Sequence, residues 1–150
     1  MVDRVGMLDP ENGLVRAECI VPEQSSVFEG HFPGYPILPG VLMIEAMAQT
    51  GGWLLIVTQR FTRMPLLAQV RQAKMRDIVT PGQRLVAEAR LMHDGSGYAV
   101  MSSRLECDGR ELAGAELTYR VLPFPSPVLR DHVLAAARRV TIPEAYLHAA

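Results

Sequence analysis

Residues 39–57, P-G-V-L-M-I-E-A-M-A-Q-T-G-G-W-L-L-I-V, constrain the fold more than any other part of this chain. On a helical wheel they are apolar nearly all round, so a helix made from them has no face to offer water and must be wrapped by other structure. Pro39 suits a first helical turn, where the missing N–H would have no partner anyway. Gly51 and Gly52 weaken a helix. The expected reason for them is the close approach of a neighbouring backbone. The near-apolar stretch Gly40 to Thr58 is borderline in length for a bilayer span and carries Glu45 and Gln49, so it reads as a buried core helix with no membrane span. With 150 residues, 49% of them hydrophobic, the chain can enclose that helix in a single domain.

The rest of the sequence supplies the wrapping. Residues 14–21 alternate as a strand does, and 22–39 form a loop rich in Pro, Gly and aromatic residues. After Arg60 the period is two, with strands expected over 66–72, 84–92, 98–107 and 110–121. Pro81-Gly82 is a turn, H-D-G-S-G connects the second and third of these strands, and Asp108-Gly109 signals a tight hairpin. The predicted class is α+β, a curved antiparallel sheet wrapped around one long central helix. P-F-P-S-P at 123–127 ends the sheet, so the main domain is expected over 1–122. Residues 123–150 then form a C-terminal extension of the same domain. In it Ser126 and Pro127 start a short helix over 128–140, with Leu129, Val133, Ala137 and Val140 on one side.

The chemistry concentrates in F-E-G-H-F-P-G-Y-P-I-L-P-G-V-L-M-I-E-A-M-A-Q, residues 28–49. His31 is an imidazole, able to act as a base near neutral pH, in a loop stiffened by Pro33, Pro36 and Pro39. Glu45 is a lone carboxyl in an apolar helix, where it must be paired, hydrogen-bonded or protonated, and a protonated carboxyl suits general-acid work. Gln49 lies one turn further along the same face and can orient it. Gly40 stands at the helix start, where N–H groups are unpaired and no side chain blocks a substrate carbonyl. A base, an acid and an oxyanion donor are the parts that β-elimination from a thioester needs, with no metal and no cofactor.

This stretch closely resembles the FabZ-type 3-hydroxyacyl-acyl-carrier-protein dehydratases, whose signature runs G-H-F-P-x-x-P-x-x-P-G-V-x-x-x-E-A-M-A-Q. The match holds at Gly30, His31, Phe32, Pro33, Pro36, Pro39, Gly40, Val41 and Glu45 through Gln49, and continues more loosely through 66–121. The resemblance implies a hotdog fold and an obligate homodimer, which in many relatives builds a trimer of dimers. It implies a site shared across the dimer interface, with His31 from one subunit, Glu45 from the other, and the Gly40 N–H on the thioester carbonyl. The substrate would arrive on acyl carrier protein, its chain entering an apolar tunnel walled by Phe32, Pro39, Met43 and Met47. Glu rather than Asp at position 45 resembles the branch that only dehydrates.

Relatives carry L-P-H-R-x-P-F ahead of V-D-R-V, where this sequence has Met1, so a changed N-terminal cover over the site is expected. The longer C-terminal extension points to a specialised branch of lipid or envelope synthesis. Other features are plainer. A net charge of -1 gives no case for nucleic acid as a partner. Cys19 and Cys107 match neither a disulfide framework nor a zinc pattern and read as small apolar strand residues. His93, His132 and His148 lack metal-ligand spacing and read as surface residues. Arg63, Lys74 and Arg76 offer a basic rim for an acidic carrier protein or a plain solvated face. The N-terminal residues lack the apolar core of a signal peptide, which places the chain in the cytoplasm. Two competing functions remain open at this level: a hotdog thioesterase and a non-catalytic acyl-binding module.

Overall fold

A computed structural model describes residues 1–148. The elements run β1 (Arg4–Asp9), β2 (Leu14–Ile20), α1 (Val27–Gly30), α2 (Gly40–Thr58), β3 (Arg63–Met75), β4 (Arg84–Gly95), β5 (Tyr98–Cys107), β6 (Arg110–Pro123), α3 (Pro127–Arg139) and α4 (Glu144–Leu147). The strands form one sheet in the order β1-β2-β4-β5-β6-β3, and every adjacent pair is antiparallel. The helix α2 touches all six strands. Six strands spaced about 4.8 Å apart span roughly 24 Å, about twice a helix diameter. Both edges can reach α2 only if the sheet curls around it, as the all-round apolar helix requires.

Alternation fixes which side faces the helix. Ala99, Met101, Ser103 and Leu105 of β5 and Ala113, Ala115, Leu117, Tyr119 and Val121 of β6 point inward. On the outer side, Arg16 of β2 reaches over β4 to bond Glu106 of β5 at 2.7 Å, and Arg104 of β5 bonds Glu88 of β4 at 3.2 Å, a cluster of opposite charges over three successive strands. Cys19 is a free thiol in the core, and burial pushes it up to about 11.

Several sequence expectations shift in detail. Pro39 is the residue before the helix, with φ −56° and ψ 137°, rather than its first helical residue. The connector at 93–97 is shorter than expected, because β4 runs on to Gly95 and the chain turns on Ser96 and Gly97, both at positive φ. The Asp108-Gly109 hairpin has the two positive φ values that a type I′ turn demands. Ser126 caps α3, accepting from the Leu129 N–H at 3.2 Å, and Pro127 begins the helix.

Gly51 has a different cause from the one expected, and at Gly52 a Cβ would meet only Pro65 Cγ, at 3.7 Å. A Cβ at Gly51 would lie 2.5 Å from Met101 Sδ and 2.7 Å from Tyr119 Oη, so side chains rather than a backbone crowd this turn. Tyr119 is almost wholly buried, and its hydroxyl donates to the Ala48 carbonyl at 2.8 Å. The helix is seated on inward-pointing strand side chains, and Gly51 is the notch that admits a phenol.

The C-terminal segment shares this core. Ala137, Val140, Ile142 and Leu147 belong to the same buried cluster as α2 and the inner sheet face. The Val5 N–H donates to the Val140 carbonyl at 2.8 Å, and Arg130 Nε donates to the Phe61 carbonyl at 2.8 Å. Of the expected stripe on α3, Ala137 and Val140 enter the core, while Val133 and Leu129 are half-buried. Residues 149–150 of the expected extension lie outside the described residues.

Candidate active site

His31 sits in the loop between α1 and α2. The loop closes on itself: the Phe32 and Tyr35 backbones exchange N–H···O bonds of 3.0 and 2.9 Å, and the Ile37 N–H donates to the His31 carbonyl at 3.0 Å. The Leu38 N–H, bonded to the Val79 carbonyl at 2.7 Å, ties the loop to the segment before β4. Within this clamp His31 Nδ1 lies 3.2 Å from the Ile37 carbonyl. A carbonyl can only accept, so Nδ1 carries the proton, and Nε2 is left with the free lone pair that a base needs. The Phe32 ring stacks on the imidazole at 4.2 Å between centroids. Phe32 is otherwise half exposed and borders, with Phe28, Glu29, Gly34 and Pro36, an open cleft on the loop side.

Glu45 is one and a half turns into α2, half-buried. Gln49 Nε2 donates to Glu45 Oε1 at 2.9 Å, and Gln49 Oε1 in turn accepts from the Val2 N–H at 3.4 Å. The backbone donor fixes which end of the amide faces the carboxyl. With Oε1 accepting from Gln49, Oε2 has no hydrogen-bond partner among the described residues. No ion pair joins Glu45 to Arg71 or Arg76; Arg76 bonds Glu111 at 3.0 Å.

Glu45 opens onto a cleft of about 380 Å³ that runs along α2 past Gly52, Trp53 and Ile56, beside Pro65, Leu66 and Leu67 of β3. Tyr119 also lines it; burial, and secondly the nearby Glu45, push its phenol well up from the ordinary tyrosine value, so it stays neutral. His31 is not among these walls, so the single chain does not place its imidazole and the Glu45 carboxyl in one cleft. Met43 and Met47, expected as tunnel wall, are core side chains at 3% and 0% exposure and do not border this cleft. The apolar walls of this cleft include Trp53, which the sequence reads as core or tunnel wall, and Ile56 and Tyr119. The signal for these was present in the spacing, because positions 45, 48, 49, 52, 53 and 56 share one helix face, but an all-apolar helix does not announce which face is left open.

At the start of α2, Leu42 N–H bonds the Pro39 carbonyl at 2.9 Å, and no side chain caps the preceding donors. The space above Gly40 is bordered by Met75, whose Cγ would lie 3.3 Å from a Cβ there. Among the described residues no group of three His, Cys, Asp or Glu side chains is arranged to hold a metal.

Residues 1–116 match the FabA-like domain. The 3-hydroxyacyl-[acyl-carrier-protein] dehydratase FabZ of Syntrophotalea carbinolica is 36% identical over 119 residues, covering 78% of this chain and 80% of that protein. The FabZ of Protochlamydia amoebophila is 41% identical over 119 residues, covering 79% and 77%. The chain belongs to the FabZ-type dehydratase family. Its enzyme class is that of the hydro-lyases, and its fold is the hotdog fold. Among solved structures, the dehydratase heterocomplex ApeI:P from Xenorhabdus doucetiae aligns with a TM-score of 0.66 at 20% identity, over 87% of this chain and 88% of that one. A thioesterase from Pseudomonas aeruginosa aligns with a TM-score of 0.63 at 23% identity, over 81% of each chain. At such identities these two likenesses speak for the shared fold alone, and the FabZ-type assignment rests on the sequence relatives.

Proposed function

We propose that this FabZ-type enzyme dehydrates 3-hydroxyacyl chains carried on acyl carrier protein to trans-2-enoyl chains, with His31 of one protomer and Glu45 of a second acting on one substrate. The observation that carries this reading is the Val2–Gln49–Glu45 chain of hydrogen bonds, which orients the Glu45 carboxyl where it borders an apolar cleft. His31 Nε2 takes the proton from the carbon next to the thioester carbonyl. That C–H pair becomes the new C=C bond as the C–O bond to the hydroxyl breaks. Glu45 Oε2 gives its proton to the departing hydroxyl, which leaves as water, and the Gly40 N–H holds the carbonyl oxygen as charge gathers there. His31 ends as imidazolium and Glu45 as carboxylate, so a proton must pass between them through solvent before the next turnover. The chain supplies both proton carriers itself, and the reading calls on no metal or cofactor.

A homodimer is supported by β3. It is one of the two edge strands of the sheet, thirteen residues long, and it exposes Leu66, Leu67, Val70 and Met75. A long apolar edge of this kind needs a covering partner. A second copy pairing there would border the Glu45 cleft, which β3 also lines, and would bring a foreign His31 loop to it. A trimer of such dimers extends the reading. Arg63 and Lys74, in no ion pair among the described residues, suit an acidic carrier protein better than Arg76, which Glu111 holds. We place the enzyme in the cytoplasm. In support, α2, the one helix among the described residues long and apolar enough for a bilayer, has 61% of its apolar window buried. Residues 1–122 act as the catalytic unit in this reading, with 123–148 docked on it.

Incubation with 3-hydroxyacyl and saturated acyl thioesters tests the reaction type. Enoyl product from the first and no free thiol from either is the expected outcome. Thiol release from the saturated thioester would mean a hydrolase instead.

A further inference from the structure

The helix α3 lies beyond the residues matched to the FabA-like domain, yet it forms one wall of the cleft that begins at Glu45. The cleft follows a single face of α2, through Glu45, Ala48, Gln49, Gly52, Trp53 and Ile56. At 1.5 Å per residue, Ile56 stands about 16 Å along the axis from Glu45. The polar groups gather at the Glu45 end. Glu45 and Gln49 bond each other, and the Tyr119 hydroxyl is occupied by the Ala48 carbonyl. Beyond that point the walls are apolar.

α3 begins beside the end of α2 that lies away from Glu45. Arg130 Nε is anchored on the carbonyl of Phe61, just past the end of α2, and the other end of α3 is held by the Val5 N–H on the Val140 carbonyl. Val133 and Ala136, one turn apart on α3, face into the cleft between these anchors. We infer that α3 is the end stop of the acyl cleft, and that Val133 and Ala136 set the longest acyl chain the enzyme accepts. The inference rests on the reading of Glu45 as the acid at the reacting end, which starts the tail at Glu45 and sends it along α2 toward Ile56. A rigid helix at the far end then fixes how many methylenes fit. Each methylene gained or lost in an apolar pocket changes discrimination by about tenfold or more.

The test uses the full chain and two variants. Carrier-linked 3-hydroxyacyl substrates of graded length give kcat/KM. Saturated acyl-pantetheine thioesters of the same lengths give occupancy from the fluorescence of Trp53, which lines the cleft and is the chain's single tryptophan. Ala136→Phe should lower the ratio of long-chain to short-chain kcat/KM about tenfold and shift the Trp53-reported limit to shorter chains, and Val133→Ala should move both the other way. An unchanged limit in the two variants, or an equal loss at every length, overturns the assignment. If Ala136→Phe does not fold, Val133→Ala decides by the same two readouts. A limit that moves while no substrate yields enoyl product would uphold the end stop and count against dehydration.

Discussion

His31→Ala and Glu45→Gln should each lower kcat for dehydration by about 10² to 10⁴-fold, the usual worth of a positioned acid or base. The two losses have different physical origins. His31→Ala removes Nε2, the ring nitrogen left over when Nδ1 is bonded to the Ile37 carbonyl. Glu45→Gln keeps the shape and the Gln49 contact but replaces the ionisable proton with an amide that cannot deliver one. Neither substitution opens the core, because both side chains are only half-buried. Circular dichroism and oligomeric mass should therefore match the parent. A variant that keeps more than a tenth of the parent kcat would remove that residue from the proton transfers.

The second large effect is on stability. In an exposed helix Gly→Ala stabilises by about 1 kcal/mol, so a glycine in mid-helix invites replacement. Gly51→Ala should do the opposite. Its methyl would meet Met101 Sδ and Tyr119 Oη at less than contact distance, and overpacking of this kind costs about 1–3 kcal/mol. For a chain of this size each kcal/mol moves the unfolding midpoint by about 2–4 °C. A fall of several degrees is therefore expected in thermal unfolding. Gly52 is the internal control, since a Cβ there meets only Pro65 Cγ, at 3.7 Å. Gly52→Ala should leave the midpoint level or raised. A Gly51→Ala protein as stable as the parent would mean that Tyr119 is not seated in that notch.

The all-round apolar helix and the period-two strands after it were legible because each carries its own local signal. Their packing follows, since an apolar helix has to be enclosed and a sheet of alternating residues can enclose it. The elements that escaped had weak local signals. β1 buries only Val5 and shifts register between Val5 and Met7, so no alternation is visible along it. α1 and α4 have four residues each, too few for a helical period. At the proposed site, the hydrogen bond from Gln49 to Glu45 was legible, because the two residues stand one helical turn apart. The walls of the Glu45 cleft were not legible. They come from α2, β3, β6 and α3 together, and only the folded register brings Leu67, Tyr119 and Val133 to one surface.

The shared site is the central claim, and mixing two dead variants measures it most directly. After subunit exchange between His31→Ala and Glu45→Gln proteins, half of the dimers are mixed. In a two-fold dimer each mixed pair holds one site with both residues intact, so about a quarter of the parental activity should return. Failure of activity to return, with exchange verified by mass, would contradict an imidazole and a carboxyl drawn from different protomers.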